Sequence, residues 1–224
     1  MSSERSGICY ESTSPDRRPA PKKVGAPVGE FTDPFRHHRH VHESEPERAV
    51  LTLLFSRADV DDIREQVTVR YTWRGAVRRY TFDVVVKLHK GPRIAYAVKR
   101  SERELLRDDT IEILKAIEVE HGSRIADAYR TVTYESLDPV ALENARLIVR
   151  CGRDQDIAAQ RRVRECLADL PATVTLERIA QASGIGHRGL RAAIALIQSG
   201  ILVLPCGQPL ASNLPMVNRG TRDQ

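Results

Sequence analysis

Asp83 and Lys99 carry the side chains of this chain best placed to act on a phosphodiester. The stretch from Arg78 to Lys99 reads as two strands joined by a turn at Lys90-Gly91-Pro92. Asp83 starts the first strand and Lys99 ends the second. Hydrolysis at neutral pH needs a divalent cation to polarise the phosphate and to generate hydroxide. Magnesium takes oxygen ligands and keeps several waters, so one strand carboxylate and a neighbouring backbone carbonyl are a workable minimum. Asp83 and the Val98 carbonyl are the candidate ligands, and Glu47, on a preceding helix, is a second acid that would tighten the site. A lysine beside the cation stabilises a nucleophile or a pentavalent phosphate, the role open to Lys99. Each residue also has a plain structural reading. Asp83 can end a turn, Lys99 can be an exposed strand end, and Glu47 can serve only as a helix cap.

The elements that would position them are legible. Ser44 is a candidate N-cap with Glu47 at capping-box spacing, and Pro46 lies in the first turn, where proline is tolerated. Val50, Leu51, Leu53, Leu54 and Phe55 form the apolar face of that helix, and Asp59 to Asp62 end it. Gln66 to Trp73 alternates and is rich in β-branched and aromatic residues, so it predicts a strand, with Gly75 at the next turn. Tyr80 to Leu88 follows. Its Val84-Val85-Val86 run is apolar without alternation, which predicts burial on both faces. Ile94 to Val98 is the partner strand. Glu102 to Glu120 carries a helical pattern, Ala126 to Tyr134 a further strand, and Pro139 to Val149 a short helix. The order helix, three strands, helix, strand, helix is that of a mixed α/β domain.

The flanks differ. Residues 1–35 hold five prolines among Ser, Gly, Arg and Lys and show no periodicity, which predicts a flexible basic arm. His37, His38, His40 and His42 then crowd into one short tract. No Cys or carboxylate stands at a spacing that completes a closed metal site, so a solvated basic segment leading into the helix is expected. Beyond Leu167–Pro171, Thr175 caps a helix that Gly184 ends. Leu190, Ala193, Ile194 and Ile197 then form the face of a second helix closed by Gly200, and Ile201 to Pro205 reads as a strand. This is a helix-turn-helix pattern with a possible wing. His187, Arg188 and Arg191 open its second helix and are candidate DNA contacts, or simply a solvated face. Lys22 and Lys23, with Arg17 and Arg18, are candidate nonspecific DNA contacts. The expected domains are a basic arm over 1–35, an α/β domain over 36–150 and a winged-helix-like domain over 151–224.

Bulk properties agree with a globular chain. Of 224 residues, 41% are hydrophobic and 29% charged, and no apolar run reaches membrane-spanning length. The four cysteines are scattered without a CxxC pair, and the polar N-terminus has no apolar signal region, so reduced thiols in a cytoplasm are expected. The net charge of +5, carried mainly by arginine, is compatible with a phosphate-bearing partner.

Glu43-Ser44-Glu45-Pro46-Glu47-Arg48, Val60-Asp61-Asp62-Ile63-Arg64-Glu65-Gln66, Arg79-Tyr80-Thr81-Phe82-Asp83 and Ala97-Val98-Lys99 follow one another in an order that resembles the N-terminal domain of TnsA-type transposon endonucleases. The resemblance covers roughly residues 40–135, and the helix-turn-helix pattern suits that family's C-terminal domain. It implies a restriction-endonuclease-like mixed sheet flanked by helices. It also implies magnesium, with manganese a plausible substitute, and cleavage of DNA at transposon ends by one subunit of a heteromeric transposase. The implied partner is a DDE-type recombinase. Glu47, Asp83 and Lys99 match the family's catalytic glutamate, aspartate and lysine. Two positions depart from the pattern. Phe82 replaces a proline, and an apolar residue there can still pack. Ala97 replaces a Glu or Gln that helps to hold metal, and alanine has no ligand atom. Two other readings therefore stand beside the nuclease: a weakened or inactive subunit that binds DNA and a recombinase, and a winged-helix transcription regulator that leaves the order of Glu47, Asp83 and Lys99 unexplained.

Overall fold

A computed structural model describes residues 10–13, 15–16 and 29–221. The chain is a mixed α/β protein that divides into two compact units, Met1–Arg48 with Asp61–Thr133, and Ala49–Val60 with Tyr134–Gln224. The division differs from the expected boundary at 150 because the helix over Pro139–Gly152 packs on the helix over His187–Leu196. Among the described residues no helix is long and apolar enough to cross a membrane.

The first unit opens with three short strands, β1 (Glu11–Ser12), β2 (Gly29–Asp33) and β3 (His38–His42), in the order β1-β3-β2. Here the expectations of an aperiodic arm through residue 35 and of a solvated histidine tract are corrected. β2 and β3 pair antiparallel, Phe31 opposite His40, and the alternation of the tract turns His40 and His42 inward. His40 is 1% exposed, and its Nδ1 lies 2.8 Å from Glu65 Oε2. The imidazole nitrogen facing the Glu65 carboxylate is thus paired within the protein, whereas the sequence showed only four polar rings in one short tract.

Helix α1 (Glu45–Phe55) starts as predicted. Ser44 Oγ donates to Glu47 Oε1 at 2.7 Å, the Glu47 N–H donates to Ser44 Oγ at 3.3 Å, and the Glu43 N–H donates to Glu47 Oε2 at 2.8 Å. The Ser44 hydroxyl thereby satisfies a first-turn N–H that the helix leaves without a partner, and the Glu47 carboxylate ties down the chain entering the helix. The helix stops at Phe55, short of Asp59–Asp62, because β4 (Val60–Trp73) already begins there. Within β4, Gln66 takes a left-handed φ of 53°, and Glu65, Gln66 and Val67 are buried in succession. Such a kink shifts the alternation by one residue and hides the first half of the strand from a period-two reading.

β4 turns into β5 (Ala76–Leu88) through Arg74 and Gly75, both at positive φ, the geometry of a two-residue hairpin turn. β5 pairs antiparallel with β6 (Arg93–Lys99) from Lys87–Arg93 to Val84–Tyr96. The crossover α2 (Glu102–Arg107) and α3 (Thr110–His121) then returns the chain to β7 (Ala128–Thr133), parallel to β6, with Lys99 opposite Thr133. The expected single helix over 102–120 is thus two, because Asp109 takes a left-handed φ of 50° between them. The sheet order is β4-β5-β6-β7. Val69, Tyr71, Phe82, Ala95, Ala97, Leu114, Ile117 and Tyr129 belong to one core cluster.

The second unit contains α4 (Pro139–Gly152), α5 (Ile157–Leu167), β8 (Thr173–Val174), α6 (Leu176–Ser183), α7 (His187–Leu196), β9 (Leu202–Val203) and β10 (Met216–Asn218). Thr175 Oγ1 accepts the Arg178 N–H at 3.2 Å, and Gly184 closes α6 at a φ of 69° that an L side chain rarely adopts. The small face of α7, Gly189, Ala192 and Ala193, lets α4, α5 and α6 approach it closely. β10 lies between β8 and β9 and pairs antiparallel with both. The buried Asn218 ties this sheet to the end of α5 through its Nδ2, which donates to Leu167 O at 2.9 Å.

Candidate functional site

The antiparallel register of β5 and β6 ends at Val84–Tyr96, and just beyond it Asp83 and Val98 meet. The Val98 N–H donates to Asp83 Oδ2 at 2.6 Å. A strand amide is here satisfied by a side chain, which holds the carboxylate in one orientation. The half-buried carboxyl is pushed up to about 7, first by burial and next by the Glu47 charge. The Val98 N–H and the Lys99 ammonium pull against this shift, and Glu43 adds to it. Glu47, 8% exposed, is held by its capping bonds while its charge reaches Asp83.

Lys99 ends β6 with its ammonium on Asp108 rather than on Asp83, Nζ to Oδ2 being 3.1 Å. Asp108 sits at the break between α2 and α3, and its Oδ1 accepts Arg107 Nε at 2.9 Å. Its carboxyl lies below the usual range, chiefly through the Arg107 bond and then the Lys99 bond. Tyr80, on the same strand as Asp83, has its phenol raised by burial and then by the charges of Asp83, Tyr71 and Asp108. The first unit therefore gathers Glu43, Glu47, Tyr80, Asp83, Lys99 and Asp108. Sequence reasoning assigned no site role to Tyr80 or Asp108. The signal for Asp108 was available in the Asp108-Asp109 pair, two poor helix formers in the middle of a helical run.

The two departures from the family pattern have structural counterparts. Phe82 is fully buried, its ring 5.1 Å from Tyr80 and 5.7 Å from Tyr129, so an apolar residue does pack there. Ala97 is 0% exposed and belongs to the core cluster with Phe82 and Ile117. Strand alternation places Ala97 between Ala95 and Lys99 on one face of β6. A methyl group in the core thus stands at position 97.

Among the described residues no group of three or more His, Cys, Asp or Glu side chains could by itself hold a metal ion. The donors at hand are Asp83 and Glu47, two carboxylates close enough for one to raise the other. Their repulsion is of the kind a cation relieves. An all-oxygen set of one or two carboxylates fits magnesium, which completes its shell with water and substrate phosphate. The Val98 peptide lies beside Asp83, and its N–H serves that carboxylate.

The second unit places the other predicted contacts. His187 is exposed at the start of α7. Arg188 makes a two-pronged pair with Asp156, Nε to Oδ2 at 2.8 Å and Nη2 to Oδ1 at 3.0 Å. Arg191 does the same with Asp154 at 2.5 and 2.8 Å. These pairs line a cleft of about 480 Å³ together with Cys151 and Gln160. Both guanidinium groups are therefore engaged within the protein, and any phosphate would compete with a carboxylate for them. Lys22, Lys23, Arg17 and Arg18 lie outside the described residues. No family model matches the chain, and no curated protein matches it.

Proposed function

We propose that this chain is a metal-dependent DNA endonuclease, the TnsA-like subunit of a heteromeric transposase that hydrolyses a phosphodiester at transposon ends. The observation that carries the reading is the Asp83 carboxylate, fixed by the Val98 N–H at 2.6 Å, raised by burial and the neighbouring Glu47, and followed across the hairpin by Lys99. Glu47 caps α1 and Asp83 satisfies the Val98 amide, yet the first acid also raises the second, and that electrostatic tension at a partly buried carboxyl is what supports a catalytic use. The order α1, β4, β5, β6, α3, β7 agrees with a restriction-endonuclease-like core, and α5 to β10 agrees with a winged helix.

On this reading Asp83 and Glu47 would hold Mg2+ or Mn2+, with the Val98 carbonyl as the candidate third ligand. When bound, the cation supplies charge for the phosphate and a hydroxide at neutral pH. Asp83 must release its proton to serve as a ligand, so cation binding would weaken as pH falls below about 7. Lys99 offers its ammonium to the phosphate oxygens, where charge accumulates during displacement. The partners are transposon-end DNA and a DDE-type recombinase.

The buried Ala97 favours a second reading, a subunit with weak or no cleavage that docks the recombinase and DNA. End cleavage in magnesium with the recombinase present, comparing wild type, Asp83→Ala and Lys99→Ala, separates the two. Cleavage by wild type alone supports the nuclease. Equal nicking by all three, or none where the recombinase is active, refutes it.

A further inference from the structure

We propose, resting on the nuclease reading for the choice of partner, that the exposed outer part of the β4–β5 hairpin is a surface for duplex DNA, with Arg70 and Arg79 on the phosphate backbone. The register of β5 with β6 stops at Val84, so residues 76–80 of β5 and their partners in β4 form a two-stranded ribbon. Its turn at Arg74 and Gly75 sets Arg70 opposite Arg79, in the same register that brings the Thr68 and Thr81 hydroxyls to 3.0 Å. Val69, Tyr71 and Tyr80 pack into the core, which leaves Arg70, Thr72, Val77 and Arg79 exposed on the other face.

The charge of this face says what covers it. Residues 67–82 hold four arginines and no Asp or Glu. Like charges directly opposite each other weaken a strand pair, and an anion bridging Arg70 and Arg79 relieves that cost. Among the described residues no carboxylate pairs with Arg70, Arg78 or Arg79. The acids near the hairpin serve elsewhere. Glu120 Oε2 accepts the Thr72 N–H at 2.7 Å, Asp16 Oδ2 accepts the Thr68 N–H at 3.0 Å, and Asp109 lies 3.5 Å from Arg74 at the tip. His121 Nε2 lies 2.7 Å from Arg70 O, so the outer edge of β4 is occupied by side chains and is not open to a partner strand. The face remains. Guanidinium groups beside threonine hydroxyls suit phosphate oxygens, and the major groove of B-DNA admits a two-stranded ribbon. β5 runs from Arg79 to Asp83 in about 13 Å, at about 3.3 Å per residue, so a duplex held here reaches the candidate site.

The test is fluorescence anisotropy of the full chain with a labelled duplex in EDTA, from about 50 to 200 mM KCl. Arg70→Gln with Arg79→Gln should weaken binding roughly tenfold at low salt, equally for two unrelated duplex sequences, and lower the slope of log affinity against log salt by about 2. Arg79→Glu separates contact from folding, because it puts a carboxylate opposite Arg70. It should weaken DNA binding at least as much while thermal melts show no loss of stability. Unchanged DNA affinity would overturn the proposal, and so would a loss without a change of slope or a loss confined to destabilised variants. If the variants keep DNA and lose labelled poly-glutamate instead, the face takes an acidic protein and the proposal is wrong. Binding is read without divalent ions, so a protein that holds DNA through these arginines and never cleaves it counts against the nuclease reading and not against this surface.

Discussion

Replacing Asp83 by Asn should remove a loss of stability that wild type suffers as pH rises from about 4 to 7. The folded carboxyl titrates at about 7 and the unfolded one near 3.8. Within that window the folded state keeps a proton that the unfolded chain has released, so stability falls as pH rises. Below the window both states are protonated, and above it both are ionised and the loss is constant. About three pH units at 1.36 kcal/mol each amount to about 4 kcal/mol. Asn keeps an oxygen to accept the Val98 N–H and removes the titration. Trp73, the chain's one tryptophan, sits on β4 in the same unit as Asp83, so its fluorescence follows unfolding of the right part of the molecule. In urea titrations at pH 5 and pH 8, without divalent ions, wild type should lose about 2–4 kcal/mol more than Asp83→Asn on going to pH 8. Magnesium should restore wild type at pH 8 and leave the variant unmoved. If the difference between the two proteins is the same at both pH values, the electrostatic account of the site is refuted.

Phe82→Ala should destabilise the first unit by about 3–5 kcal/mol in the same assay, because the ring is fully buried against Tyr80 and Tyr129; a cost under about 1 kcal/mol would show that its packing is dispensable. Ala97→Glu buries a carboxylate beside a core cluster and should cost on the order of 3 kcal/mol without metal. If its side chain reaches the Asp83 site, magnesium should recover part of that loss and bind more tightly by calorimetry than it does to wild type. In the second unit, Gly189→Ala would drive a methyl group into Ser183 Oγ and should cost about 1–3 kcal/mol, and adding Ser183→Ala should recover part of it in thermal melts.

Much of the scaffold was legible because it rests on local rules. The capping box at Ser44 and Glu47, the hairpin turns at Gly75 and Gly91, the Thr175 cap and the Gly184 stop each involve residues a few positions apart, and each is where spacing predicted. The unrecognised features depend on partners distant in sequence or on a backbone irregularity. His40 looked solvated until β2 and Glu65 enclosed it, and the first half of β4 was concealed by the left-handed Gln66. The helix over 102–120 was read through its apolar residues on both sides of Arg107–Thr110, and the left-handed Asp109 divides it there. Arg188 and Arg191 read as free cations because the aspartates that hold them lie on the α4–α5 connection.

The sequence alone determined where the charged side chains of Glu47, Asp83 and Lys99 stand, and which strands and helix bear them. Their types and local spacing suffice for that, since turns, caps and alternation act over a few residues. Only the tertiary structure decided their electrostatic state. Burial and the Glu47 charge raise Asp83, Asp108 rather than Asp83 receives the Lys99 ammonium, and Ala97 faces the core. Proton affinity and ion pairing depend on what surrounds a group within a few ångströms, and here the surroundings come from helices and strands that the chain brings together only on folding.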